Sequence, residues 1–102
     1  MAAVDGEFYD RADGHIMLAN EGISETVDRG KVSSSFLYAA SRFNAWVSAC
    51  GWTNGKEMGE AKQKTVDYFV AEYRKMLEEN LDDYINNFDE YMQIADTENG
   101  EK

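Results

Sequence analysis

The chain has 102 residues, enough for one domain and too few for two. Hydrophobic residues make up 43% of it, with two Trp, six Tyr and five Phe, a composition that folds instead of staying disordered. The net charge of −10 gathers at one end: residues 1–75 carry eleven acids and nine bases, residues 76–102 nine acids and one base. Direct binding to nucleic acid or to an anionic membrane surface needs cations, so both are disfavoured.

Proline is absent, β-branched residues are sparse, and Ala, Glu, Lys, Met and Leu are plentiful, which favours helix throughout. The first 13 residues lack a basic region followed by an apolar run, so no secretory signal is expected. The first predicted helix covers about residues 7–20. Phe8, Ala12, Ile16, Ala19 and Ile23 recur every three or four positions, Asp5 suits the N-cap, and Gly22 suits the stop. Gly14 lies inside it and weakens it by roughly 1 kcal/mol against Ala. Residues 23–31 form a connection rich in cap and turn formers, with a short helical turn allowed from Ser24.

The second predicted helix, about 32–50, is the centre of the expected fold. Residues 32–52 contain one charge, Arg42, although charged residues are 29% of the chain. Val32, Phe36, Ala39, Phe43, Val47 and Cys50 mark its main stripe, and a helix so poor in charge suits burial among neighbours. Arg42, Asn44 and five serines in the window argue against a membrane span. Cys50, the single cysteine, permits no internal disulfide; it is expected to be a buried apolar group in a reducing compartment.

Asn54 followed by Glu57 fits a capping pattern for the third helix. Its stripe runs through Val66, Val70, Tyr73, Leu77, Leu81, Tyr84, Phe88, Tyr91 and Ala95. A straight helix over 57–94 would extend about 57 Å, against a diameter around 35 Å for a compact domain of this size. Either it breaks, with Asn80 to Asp83 the favoured place, or its end projects and packs on a second molecule. Residues 96–102 lack periodicity.

These elements predict an all-α fold: a compact three- to four-helix bundle around the central apolar helix, with a long or broken C-terminal helix. One domain over 7–95 is expected, flanked by flexible termini at 1–6 and 96–102.

Several strings look like a known family. They are residues 7–12 (EFYDRA), 18–20 (LAN), 30–33 (GKVS), 38–46 (YAASRFNAW), 68–69 (YF) and 73–84 (YRKMLEENLDDY). The chain resembles, from residue 7 to about 84, a family of short proteobacterial proteins described only as a domain of unknown function. The resemblance implies a bacterial cytosolic protein and carries over no catalytic residue.

No metal, cofactor or catalytic site is expected. His15 is the only histidine, and a di-iron bundle site would need Glu-x-x-His pairs on two helices. Calcium-loop spacing fails around Gly14, where the first, third and twelfth positions would be Tyr9, Arg11 and Asn20. Phosphate-binding, dinucleotide and nucleophile-elbow motifs are missing from the sequence. Arg42 is the most distinctive single residue. A guanidinium on so neutral a helix needs a carboxylate or carbonyl partner, or lays its stem on the core, or forms a partner site with Asn44 and Tyr38. The acidic stretch 78–101 keeps Tyr84, Phe88 and Tyr91 as aromatic anchors ringed by charge, a pattern that docks into a groove on a basic protein partner.

The expectation is therefore a small acidic cytoplasmic interaction or self-associating module without catalytic activity, working through its C-terminal helix. Two alternatives stand beside it. One is a ligand-binding or enzymatic domain with a site near Arg42, Asn44 and Trp46. The other is an acidic mimic of nucleic acid, in which carboxylates stand in for phosphates.

Overall fold

A computed structural model of the chain describes residues 4–93, and every regular element among them is helical. Four helices follow in order: α1 (Phe8–Glu21), α2 (Arg29–Ala49), α3 (Gly55–Glu60) and α4 (Lys62–Asn86). They fall into two structural units that divide between Gly51 and Trp52. The expected domain limit at Ala95 and the terminal segment 96–102 lie outside the described residues, as do residues 1–3 of the N-terminal segment.

In the first unit, local side-chain chemistry sets the helix ends. Asp5 Oδ1 accepts from the Glu7 N–H at 2.9 Å, and both its oxygens accept from Arg11 Nη2 at 3.2 and 3.1 Å. Gly22 ends α1 as expected, but with φ −78°, in the right-handed region; its N–H donates to Ala19 O at 3.0 Å and tightens the last turn. A Cβ at Gly22 would sit 3.3 Å from Ala19 O and 3.6 Å from Val32 Cγ2, so glycine lets α1 end close against α2. The helical turn allowed from Ser24 does not form. Ser24 Oγ instead accepts from the N–H groups of Thr26 and Val27 at 3.2 and 3.1 Å, closing a compact turn.

α2 begins at Arg29, three residues before the expected Val32. The cause is Asp28, whose carboxylate accepts from the Lys31 N–H at 2.9 Å and so caps an earlier first turn. Its shielding also differs from expectation. None of the described residues is buried, and Phe36, Phe43 and Val47 keep 41%, 61% and 48% of their surface open in the single chain. Cys50, expected to be buried, is exposed. The charge-poor stretch is helical but is not a shielded axle within its unit, because α1 borders only its N-terminal half, near Val32, Phe36 and Ala39.

In the second unit the cap at Asn54 forms as the sequence indicates: Asn54 Oδ1 accepts from the Glu57 N–H at 2.9 Å. The helix then stops at Ala61, whose N–H is shared between Glu57 O at 3.3 Å and Met58 O at 3.1 Å. α4 restarts at once and runs unbroken past Asn80. A break near Asn80 is thus corrected to one at Asn87. Asn80 Nδ2 donates to Met76 O at 2.9 Å, a bond that leaves the backbone helical. Asn87 leaves the helical region at φ −123°, ψ 27°, and its Nδ2 donates to Asp83 O at 2.9 Å. Residues 88–93 are helical again.

Candidate functional site

The sequence-predicted residues fall into two groups. Around Arg42, successive residues of α2 turn by about 100°, so Tyr38, Arg42 and Trp46 share one side and Asn44 points the opposite way. Arg42 is exposed, and among the described residues its side chain makes no ion pair or hydrogen bond. Tyr38 and Trp46 are open to solvent as well, at 65% and 61%. Arg42 and Asn44 are therefore not brought together on one surface. A groove of this unit lies elsewhere, between α1 and the start of α2. It encloses about 510 Å³, with His15, Lys31 and Ser35 at an otherwise apolar wall that includes Leu18, Val27 and Phe36.

The second group is built by α4 and the residues after it. Across the break, Tyr84 and Tyr91 meet edge to face, with ring centroids 5.0 Å apart at 69°. Tyr91 Oη donates to both oxygens of Asp83 at 3.2 Å, and Asn87 Nδ2 donates to Asp83 Oδ1 at 3.0 Å. The hydrogen bond to the Asp83 carboxylate holds the Tyr91 phenol above its ordinary value of 10.0, helped by desolvation and the nearby negative charges. Phe88 stays exposed. Tyr84 and Tyr91 are thus tied into a local cluster, while Phe88 remains free to make contact.

Upstream of this cluster the structure continues the same apolar side for the length of α4. Val66, Val70, Tyr73, Leu77, Leu81 and Tyr84 lie within a narrow arc of the helix, and each keeps between 41% and 54% of its surface open. Charge is polarised along the same helix. Lys62, Lys64, Arg74 and Lys75 stand in its first part with Asp67 and Glu72, a net of +2; Glu78, Glu79, Asp82 and Asp83 stand in the last part, a net of −4. Arg74 Nη1 and Glu78 Oε2 meet at the junction, 3.9 Å apart. The basic half lies upstream of the acidic end at which docking is expected; its signal in the sequence is the sign change between Lys75 and Glu78 on a helix with one continuous stripe.

On the other side of α4, the Tyr68 hydroxyl is shielded and has no hydrogen-bond partner among the described residues. Desolvation, then the charge of Glu72, raises its pKa. His15 and Cys50 do not join any metal-holding group of His, Cys, Asp or Glu among the described residues. No helix among those residues is long and apolar enough to cross a membrane.

A small all-α protein with open amphipathic helices is the class these features define. The chain belongs to the family described as "Protein of unknown function (DUF3144)", which matches residues 8–85. It is similar to a solved structure, the NMR structure of the protein NB7890A from Shewanella sp, at 37% identity and a TM-score of 0.73. That likeness covers 91% of this chain and 98% of the other. No curated protein matches it.

Proposed function

We propose that this protein is an interaction module, working by docking through the apolar stripe of α4 and not by catalysis. The observation that carries the reading is the continuous row from Val66 to Tyr84, half open to water along a helix of 25 residues. An exposed apolar row of that length is costly in water, and covering it on another polypeptide is favourable at roughly 25 cal/mol per Å². The polarised charge on its flanks adds selectivity, since like charges brought together across an interface oppose docking. The charge-poor α2 offers further apolar surface in Phe43, Trp46 and Val47.

Photo-crosslinking tests this in living cells with the full chain. A benzophenone side chain at Tyr73, on the stripe, should yield crosslinked polypeptide adducts. The same group at Glu79, off the stripe, should yield few. Equal yields at both positions, or none at either, overturn the reading.

A further inference from the structure

We infer that the Asn54–Gly55 peptide is a site of spontaneous covalent modification, deamidation of Asn54, and that the folded α3 controls how fast it reacts. The inference is independent of the docking role of α4.

The chemistry belongs to the residue pair. The Gly55 backbone nitrogen, on losing its proton to solvent base, attacks Asn54 Cγ. The new N–C bond closes a five-membered imide, the Cγ–Nδ2 bond breaks, and Nδ2 leaves as ammonia with a proton from water. A second water then opens the imide at either carbonyl. One opening leaves an aspartate; the other leaves an isoaspartyl link, in which the backbone runs through Cβ. The net change is one amide and one water giving one carboxylic acid and one ammonia. The attack brings the next residue's nitrogen against Cγ, and glycine has no Cβ to block that approach. Within residues 4–93 Asn54 alone precedes a glycine; the other five asparagines precede larger residues.

The structure adds the control. Asn54 is exposed, and a Cβ on Gly55 would meet nothing within 4 Å, so packing does not shield the peptide. The side chain is held all the same. Asn54 Oδ1 accepts from the Glu57 N–H at 2.9 Å, and Thr53 Oγ1 donates to Glu57 Oε1 at 2.7 Å across the same turn. The Asn54 backbone is extended, at φ −158° and ψ 167°. Ring closure needs Cγ and the Gly55 nitrogen eclipsed about the Cα–C bond. At this ψ they are staggered, away from the attack geometry. Asn54 therefore reacts only after it releases the Glu57 N–H and turns its ψ. That movement undoes the first turn of α3, where the Met58 N–H donates to Asn54 O at 3.2 Å. Such opening is easy in α3, because a helix of six residues that includes Gly55 and Gly59 is held weakly.

The two products act differently on α3. An aspartate caps as well as an asparagine and adds negative charge where a helix start favours it. The isoaspartyl link inserts a carbon into the backbone, so the cap and the Met58 bond lose the geometry they share. The first turn is then lost for good.

The test incubates the full-length chain in mildly alkaline buffer, with and without urea. Peptide mapping by mass spectrometry follows Asn54 separately from the second Asn-Gly pair at residues 99–100. Asn54 should lose its amide several-fold more slowly in the folded chain than in urea. Gly59→Ala adds helix propensity to α3 where a Cβ meets nothing within 4 Å, and should slow the folded-state reaction roughly 2- to 5-fold. Lys56→Gly should speed it by roughly the same factor of 2 to 5. In urea both variants should match the unchanged chain. Gly55→Ala should suppress the reaction in both conditions. Equal rates folded and in urea, or folded-state rates indifferent to Gly59→Ala and Lys56→Gly, overturn α3 as the control. Absence of product at Asn54 in urea, or undiminished product in Gly55→Ala, overturns the site itself.

Discussion

Replacing Leu77 by Ala separates an open stripe from a filled core. In a filled core, Leu→Ala destabilises by about 2–5 kcal/mol. Leu77 keeps 41% of its surface open in the single chain, so part of its burial is still to be gained. Full burial of Leu stabilises by about 1.5–3 kcal/mol, so closing the open part contributes about 0.6–1.2 kcal/mol. On a partner that covers the stripe, losing that contribution should raise the Kd roughly 3- to 8-fold. The dilute, dissociated chain should lose less than about 2 kcal/mol of unfolding free energy, below the range for a filled core. The yield of crosslinked adducts from a benzophenone at Tyr73, with and without Leu77→Ala, follows the first quantity; urea unfolding followed by circular dichroism at two protein concentrations measures the second. An unchanged Kd would show that Leu77 lies outside the contact. A loss above about 2 kcal/mol that does not vary with concentration would show that the single chain already buries it.

Three further outcomes follow from local geometry. Asp28→Ala removes the acceptor of the Lys31 N–H and should destabilise α2 by about 1 kcal/mol in chemical unfolding; a change below about 0.3 kcal/mol would remove Asp28 as the reason α2 starts at Arg29. Gly14→Ala should raise thermal stability, by about 0.5–1 kcal/mol, because Gly14 lies inside α1 and a Cβ there meets nothing within 4 Å. A lower melting temperature would refute that. The Tyr91 phenol is raised above 10.0 by its bond to Asp83, so the neutral donor stabilises the folded form below that value and the contribution is lost as pH rises through the raised one. Asp83→Asn should bring the Tyr91 titration, followed by NMR at ring Cζ, down toward 10.0; an unmoved titration would count against the carboxylate as cause.

The apolar stripe and the aromatic pair of the candidate site are legible in the sequence because both are written at helical spacing. The stripe from Val66 to Tyr84 needs only a period near 3.6, and the pairing of Tyr84 with Tyr91 follows from a separation of two turns. The cluster expected around Arg42 does not form, since Arg42 and Asn44 are two residues apart and a helix turns them to opposite sides. The basic half of α4 is hidden in the net charge of long segments, which averages over the sign change inside one helix.

The sequence by itself determined that the chain is helical and supplied the caps that start α2 and α3. Asp28 and Asn54 act on N–H groups three residues away, an arrangement that needs no distant partner. It also determined the apolar stripes and the charge gradient, which any helix over those residues must carry. Only the tertiary structure decided that α3 stops at Ala61, that α4 runs past Asn80 to Asn87, and that Phe36, Phe43 and Val47 stay open to solvent. Those outcomes depend on which of several competing hydrogen bonds forms and on what approaches each face from elsewhere. A periodic pattern states that a face is apolar; it does not state what covers it.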